Sequence, residues 1–324
     1  MKQTWFSVAA LSLIFCGTLS WCQQPAQSAT VRQPAPDWRV SWRNATVAFG
    51  EVKHDALLGD YFSAVGTGVI VRAGEHKGYI VTAKHMFCDP EKRWYPRKLN
   101  IRFSWEDRKS IYTFVGITIL VRDDAGAPLW TAPDDDSDIA ALPITPEGLN
   151  ALLPADDRKQ NIEVIGTEDF DGDLYEGEQV FIFGYPAVAG NDYLARMIVR
   201  QGIVAWTNPN DTTVNTFLVD ANLYPGNSGG PVIMFPFGLK KDGGINILGG
   251  KPALLGIVSQ GAAQDIQATV SGPRGPIAMH APVVGIGAVG VIEPASKIAK
   301  LLSVVQAGAS KTPTCGVNEV GQRR

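Results

Sequence analysis

Short apolar runs bounded by turn residues recur along most of the chain, and this pattern predicts β-strands of ordinary length rather than long helices. Six such runs lie between about residues 46 and 150: Thr46–Phe49, Gly68–Arg72, Tyr79–Thr82, Lys98–Phe103, Tyr112–Leu120 and Ile139–Leu142. Six more lie between about residues 175 and 292: Gln179–Phe183, Arg196–Val204, Thr216–Val219, Pro231–Met234, Leu254–Ser259 and Ala288–Ile292. Antiparallel strands joined by hairpins can close into barrels without exposed edges. We therefore predict an all-β fold of two antiparallel six-stranded β-barrels with a cleft between them.

The pattern changes to helical spacing near the C-terminus. Ile298, Leu301 and Leu302 recur at the interval of a helical turn behind Pro294, and proline is tolerated in the first turn of a helix. We predict an amphipathic C-terminal helix over residues 294–305, followed by a tail over residues 306–324. Two stretches between predicted strands, residues 235–252 and 261–287, are long and rich in glycine, and loops of this length are usually either functional or disordered.

The N-terminal segment has the pattern of an export signal. Lys2 precedes an apolar run over Val8–Leu19, which is too short to span a bilayer as a helix. We assign residues 1–28 to a signal peptide and residues 29–45, rich in Gln, Pro and Ala, to a flexible lead-in. The protein is then expected in the periplasm or outside the cell. A lipoprotein anchor at Cys22 is the less favoured alternative, because Trp21 stands where lipoprotein processing expects a small residue.

Composition narrows the classes of partner. Of the 324 residues 45% are hydrophobic, enough for a sizeable core, while 19% are charged and the net charge is −3. The chain has no excess of Lys and Arg residues that would favour binding to nucleic acid. No Cys/His cluster has the spacing of metal ligands, so we predict no metal and no cofactor. With Cys16 and Cys22 removed with the signal, Cys88 and Cys315 are left as a candidate disulfide, which an oxidising compartment permits.

A candidate nucleophile lies in the run Pro225–Pro231, which places one serine among glycines. Glycines let the backbone adopt conformations that present a hydroxyl outward while nearby N–H groups turn toward one point. Ser228 is therefore the candidate nucleophile of an acyl-transfer site. The backbone N–H groups of Gly226, Asn227 and Ser228 are candidates for an oxyanion hole.

A serine nucleophile needs a base and a group that orients the base. His85 follows the apolar run Tyr79–Thr82, whereas His54, His76 and His280 lie in polar or Gly/Pro-rich stretches that read as loops. Asp138 directly precedes the apolar run Ile139–Leu142. Its acidic neighbours, Asp134 to Asp136, read as solvated loop charges. We therefore predict a site made of His85, Asp138 and Ser228.

The strings TAKH, DIAAL and GNSGGP, in this order, resemble the trypsin-like (chymotrypsin-fold) serine proteases and, among them, the bacterial HtrA/DegP-like branch. Further matching segments are Val65–Ile70, Arg200–Val204 and Leu255–Ser259. The resemblance covers residues 46–305, which we take as one protease domain, and the remaining tail is too short for a PDZ module.

The resemblance implies roles for these residues. Ser228 would be the nucleophile, His85 the general base and then acid, and Asp138 the carboxylate that fixes the imidazole tautomer. The primary substrate pocket would be lined by Asn222, Ser259, Gln260 and Gly261. Because Asn222 at the pocket base is uncharged, we expect a small or medium apolar side chain to fit.

The sequence therefore predicts an exported serine endopeptidase that acts on proteins or peptides, without a transmembrane span. The alternative is a non-catalytic pseudoprotease that keeps the fold as a binding or regulatory module. Ester hydrolysis and other acyl transfer are open to the same site. The oligomeric state is left open.

Overall fold

The computed structural model describes residues 38–315, apart from residues 58, 75–76, 107–111, 146–147, 149–163, 171–173, 188–196, 208–215, 236–237, 240–244, 247–250, 262–263, 273–274, 284–288, 309–312 and 314. The chain divides into two units, residues 1–35 and residues 36–324, and every described residue lies in the second. The predicted signal peptide, residues 1–28, lies outside the described residues. So does most of the predicted tail.

Strands make up most of the described chain. The strands are β1 (Thr46–Asp55), β2 (Gly59–Ala73), β3 (Lys77–Thr82), β4 (Lys98–Glu106), β5 (Tyr112–Leu120), β6 (Ala140–Ile144), β7 (Ile165–Gly166), β8 (Gln179–Gly184), β9 (Ile198–Trp206), β10 (Phe217–Asp220), β11 (Pro231–Met234), β12 (Gly238–Leu239), β13 (Ile245–Asn246), β14 (Ala253–Gly261), β15 (Gln264–Gly272), β16 (Gly275–Val283) and β17 (Val289–Pro294). The helices are α1 (Trp38–Ala45) and α2 (Ala295–Gln306), with 3₁₀ turns over Lys84–Met86 and Thr167–Asp169. None of the described helices is long and apolar enough to cross a membrane.

The first sheet follows the strand order β5-β4-β1-β2-β3-β6, with β7 paired to β2. Its neighbours along that path are antiparallel, and β1 pairs with β2 from Thr46 opposite Val69 onward, with a bulge after Phe49. Strand β3 is buried along almost its whole length because both Ile80 and Val81 face apolar neighbours on opposite sides. This burial fixes the end of β3, from which the chain enters the 3₁₀ turn Lys84–Met86.

The second sheet closes into a barrel in the order β10-β17-β14-β11-β8-β9. Gly256 on β14 lies so close to β17 that a Cβ there would meet the carbonyl oxygen of Glu293 at 2.1 Å. The predicted fold class is confirmed: two antiparallel sheets of six main strands, of which the second closes fully. The predicted C-terminal helix is also present as α2, with Ile298, Leu301 and Leu302 buried.

Some local predictions were wrong. The lead-in was predicted to be flexible up to residue 45, but its last part forms α1, where Trp42 and Ala45 are buried in the core shared with α2. Several strands are longer than their apolar runs, and β2 begins at Gly59 rather than Gly68. The two long stretches contain strand pairs, the two-residue strands β12 and β13 in one and the nine-residue strands β15 and β16 in the other. Hairpin pairing extends strands into segments that carry no apolar run.

Candidate active site

His85 is held by the turn that follows β3. The backbone N–H of Lys84 donates to the carbonyl oxygen of Asp138 at 3.2 Å, which ties this turn to the start of β6. Met86, the last residue of the turn, and Phe87, directly after it, are buried in the apolar core of the first sheet and anchor the turn. The imidazole is left partly accessible, with 27% of the side chain exposed.

Asp138 accepts three hydrogen bonds on its carboxylate. Its Oδ1 accepts from the backbone N–H of His85 at 2.9 Å, and its Oδ2 lies 2.7 Å from His85 Nδ1. Ser259 Oγ, from β14, donates to the same Oδ2 at 2.7 Å. A carboxylate beside Nδ1 places the proton on that nitrogen, so Nε2 is left as the proton acceptor. The arrangement makes His85 a base directed away from Asp138.

Ser228 lines the same cleft as His85 and Asp138, and this cleft has a volume of about 820 Å³. No hydrogen bond joins Ser228 Oγ to His85 in the part of the chain that the structure describes. Nucleophile–base hydrogen bonds are often long in ligand-free sites and tighten when substrate binds. The structure therefore brings the three predicted residues to one cleft, as the sequence pattern requires.

The turn before Ser228 directs the N–H of Gly226. Gly226 has a φ of +96°, and Asn227 N–H donates to the carbonyl oxygen of Tyr224 at 3.0 Å, as in a type II turn. The carbonyl oxygen of Pro225 accepts from Ala187 N–H at 2.8 Å. Since the C=O and N–H of one peptide point in opposite directions, the N–H of Gly226 faces away from Ala187.

The N–H of Ser228 is directed in the same manner. The carbonyl oxygen of Asn227, on the same peptide, accepts from Gly230 N–H at 2.8 Å. Among the described residues, neither Gly226 nor Ser228 has a backbone acceptor for its own N–H, so both can donate to a ligand. The N–H of Asn227 was also assigned to the oxyanion hole from the sequence. The structure does not support that assignment, because this N–H is already bonded within the turn.

Thr67 on β2, fully buried, connects the first sheet to this loop. Its backbone N–H donates to the carbonyl oxygen of Ser228 at 2.7 Å, and its Oγ1 donates to the carbonyl oxygen of Gly226 at 2.6 Å. The same Oγ1 accepts from Tyr185 N–H at 3.0 Å. Sequence reasoning gave Thr67 no role, although a polar residue between two glycines in an apolar strand is a signal. Thr67 therefore holds the Gly226–Asn227 and Ser228–Gly229 peptides in place.

The structure brings three of the four residues predicted for the substrate pocket to the cleft. Ser259, Gln260 and Gly261 line the cleft, but Asn222 is exposed and is not among the described lining residues. Leu223, only 2% exposed, lines the cleft instead. The side chains alternate after β10 ends, so Ala221 and Leu223 point inward and Asn222 points outward. The residue that lines the cleft at this point is therefore Leu223, one position after the predicted Asn222.

The rim of the cleft near His85 carries both signs of charge. Lys84, Asp89, Glu91 and Lys92 all line it. Burial raises the pKa of Asp89, but hydrogen bonds from the side chain and backbone of Lys92, with its positive charge, outweigh burial and lower that pKa. The Lys92 Nζ lies 2.8 Å from the Asp89 carboxylate. No single sign of charge on this rim selects for an oppositely charged peptide.

A disulfide joins Cys88 to Cys315, with Cα atoms 5.9 Å apart. Cys88 lines the cleft, and its backbone N–H donates to the carbonyl oxygen of Lys84 at 3.0 Å. The disulfide therefore ties the C-terminal segment to the turn that carries His85. The described residues contain no cluster of His, Cys, Asp or Glu arranged to hold a metal ion.

Comparisons with known proteins give matches to peptidases. A family model for the trypsin-like peptidase domain matches residues 66–234. A curated relative named serine protease HtrA-like, from Staphylococcus haemolyticus (strain JCSC1435), is 29% identical over 180 residues, which are 52% of this chain but only 22% of that relative. A solved structure of protease Anisep from Arthrobacter nicotinovorans is 15% identical, has a TM-score of 0.41, and covers 80% of this chain and 96% of its own.

Proposed function

Because this chain belongs to the trypsin-like peptidase family, we propose that it is a serine endopeptidase with His85, Asp138 and Ser228 as its catalytic triad. The observation that carries the proposal is the hydrogen bond from His85 to Asp138, in the cleft that Ser228 lines. A binding module would have no need of an imidazole held with its second nitrogen free.

The first half of the reaction forms an acyl-enzyme. Ser228 Oγ attacks the carbonyl carbon of the peptide, and its proton moves to Nε2 of His85. The negative charge that develops on the carbonyl oxygen is stabilised by the N–H groups of Gly226 and Ser228. The C–N bond then breaks, and His85 returns the proton to the departing amine. Asp138 stabilises the imidazolium throughout without taking a proton.

The second half returns the enzyme to its starting state. A water molecule loses a proton to Nε2 of His85 and attacks the acyl carbon, again with the oxyanion on the N–H groups of Gly226 and Ser228. The bond from carbon to Ser228 Oγ breaks, and His85 gives its proton back to the serine oxygen. The carboxylic acid product leaves, so no cofactor enters the balance.

We propose that the residue preceding the cleaved bond is small or medium and apolar. The apolar residues Leu223 and Val258 line the cleft, and burial of an apolar substrate side chain is favourable by about 25 cal/mol per Å². A library of peptides cleaved by the protein should be enriched in Ala, Val or Leu at that position. Enrichment in Lys or Arg would overturn this specificity.

Export is part of the proposal. The sequence pattern of residues 1–28 supports a signal peptide, and the Cys88–Cys315 disulfide fits an oxidising compartment. The N-terminal sequence of the protein recovered from the periplasm or medium should begin near residue 29. Recovery with residues 1–28 attached would contradict processing at this site.

The proteolytic activity is tested by incubating the purified protein with an unfolded protein such as reduced casein. We expect cleavage by the wild type and none by Ser228→Ala, with both variants folded by circular dichroism. If the folded wild type binds the substrate without cleaving it, the protein is a pseudoprotease and the proposal fails.

A further inference from the structure

A second acid lies directly behind Asp138. Glu293 on β17 is 4% exposed, and its Oε1 accepts a hydrogen bond from the backbone N–H of Asp138 at 2.8 Å. Its Oε2 accepts from Lys297 Nζ at 2.7 Å, one turn further along the chain on α2. Glu293 comes from the second barrel and Asp138 from the edge of the first sheet. The contact therefore links the two sheets at the acid of the proposed triad.

A contribution to stability does not by itself explain a buried ion pair between Glu293 and Lys297. The side chains of Glu293 and Lys297 are 5% and 17% exposed, and buried ion pairs can often be replaced by apolar residues without loss of stability. An apolar residue at position 293, however, would leave the Asp138 N–H without this acceptor. A lone carboxylate there would add a second negative charge near His85.

Resting on the proposed function, we propose that Glu293 is a positioning residue that fixes Asp138 through its backbone N–H, and that Lys297 neutralises Glu293. His85 and Ser259 already bond to the carboxylate of Asp138. The backbone N–H of Asp138 is therefore the group through which a further residue can fix its position. Fixing it from behind keeps the distance from Asp138 Oδ2 to His85 Nδ1 short.

Other titratable groups lie near the Glu293–Lys297 ion pair. Asp138 and His85 lie on one side of it. On the other side, Asp135 has a lowered pKa: burial raises it, but hydrogen bonds from Ser137 and the positive charges of Lys297 and Lys300 outweigh burial. Among these described groups, Glu293 contacts both Asp138 and Lys297, so changes at positions 293 and 297 can be separated from changes at the rest.

The first test separates the hydrogen bond from the charge. Glu293→Gln keeps an oxygen that can accept from Asp138 N–H, whereas Glu293→Ala removes the acceptor. We expect Glu293→Ala to lower kcat by about 10- to 100-fold with KM nearly unchanged, because hydrogen bonds of this type are worth about a factor of ten or more. Glu293→Gln should recover most of that loss. Equal kcat for the wild type and Glu293→Ala would overturn the proposal.

The second test uses opposite charge changes. Lys297→Met leaves the Glu293 anion uncompensated and favours the imidazolium, so the acidic limb of the kcat/KM profile should move to higher pH. Glu293→Gln leaves the Lys297 cation uncompensated, so the same limb should move to lower pH. Each shift should be about half to one pH unit. With a purely structural role of the pair, the acidic limb would not move in either variant. Shifts of the two variants in the same direction would contradict the neutralising role of Lys297.

Lys300→Met is the matched control, since it removes the same charge one turn away on an exposed position of α2. Its profile should match that of the wild type. If a single variant does not fold, the double variant Glu293→Leu with Lys297→Met tests the same role, because it removes both charges and leaves neither of them unpaired. The double variant should fold, keep the limb in place and lose about 10-fold or more in kcat. A folded double variant with full activity would overturn the proposal.

A readout independent of catalysis keeps this proposal separate from the proposed function. The proton on His85 Nδ1, bonded to Asp138, should give a downfield signal in the proton NMR spectrum of the wild type. We expect the signal to broaden or vanish in Glu293→Ala and to persist in Glu293→Gln. If the wild type cleaves nothing yet shows this pattern, the function fails and the positioning stands. If the signal is unchanged in Glu293→Ala, the positioning role fails whatever the activity.

Discussion

Replacing Thr67 with valine tests how the loop around Ser228 is held. Valine has nearly the shape of threonine but lacks the hydroxyl, so the substitution removes a donor to the carbonyl oxygen of Gly226 and an acceptor for Tyr185 N–H. The backbone hydrogen bond from Thr67 to Ser228 remains. The perturbation is therefore confined to two hydrogen bonds of known length, 2.6 Å and 3.0 Å.

The size of the effect follows from burial. Thr67 is fully buried, Tyr185 is buried and so is Gly226, so the two backbone groups that lose a partner have no water to replace it. Each unsatisfied buried group costs about 1–3 kcal/mol, which gives about 2–6 kcal/mol for the pair if nothing moves. Relaxation of the loop would reduce this cost by displacing the Gly226 N–H. Loss of one oxyanion donor lowers kcat by about 10²–10³ at most.

We expect Thr67→Val to lower kcat by about 10- to 100-fold with little change in KM, and to lower the free energy of unfolding by about 2–4 kcal/mol. The assay is cleavage of a peptide substrate at saturating concentration, together with urea unfolding. Thr67→Ser keeps the hydroxyl and should retain most of the activity. Thr46→Val is the matched control, since Thr46 also loses a buried hydroxyl hydrogen bond, to the carbonyl oxygen of Trp42.

Thr46→Val should lose stability but not kcat, because this hydrogen bond is made away from the cleft. Full kcat in Thr67→Val, or an equal loss of kcat in Thr46→Val, would show that the Thr67 hydroxyl does not hold the loop for catalysis.

Two further predictions follow from the geometry of the site. Ser259→Ala removes one hydrogen bond from the Asp138 carboxylate and should lower kcat/KM by about tenfold or more, as measured by initial rates; unchanged rates would show that this bond does not orient the acid. The paired substitution of Cys88 and Cys315 by serine opens a covalent loop with a sequence separation of 227 and should lower the free energy of unfolding in urea by about 2–5 kcal/mol, whereas a midpoint identical to that of the oxidised wild type would argue against a stabilising disulfide.

Local sequence patterns pointed to residues that lie beside a strand end or a glycine run, and the structure brings three of them to one cleft. His85 follows a buried strand, Asp138 precedes one, and Ser228 is enclosed by glycines, so each could be selected from its neighbours. The apolar runs likewise predicted most strands and α2. The exact strand ends could not be predicted, because β1 and β2 extend by pairing with each other beyond their apolar runs.

Residues that act across the fold were missed because their partners are distant in sequence. Glu293 and Asp138 are separated by 155 positions, so an acid within an apolar strand gave no indication of its partner. The pocket was misassigned because side-chain alternation near Leu223 depends on where β10 ends. The turn hydrogen bond of Asn227 depends on the φ of Gly226, which the sequence permits but does not require.

In the proposed mechanism, Ser228, His85 and Asp138 act as one hydrolytic site. The most direct measurement is labelling of the folded protein with a fluorophosphonate, followed by mass spectrometry of its peptides. We expect the label on Ser228 alone, with labelling strongly slowed in His85→Ala and absent in Ser228→Ala. A folded protein that stays unlabelled, or that carries the label on another serine, would contradict the claim.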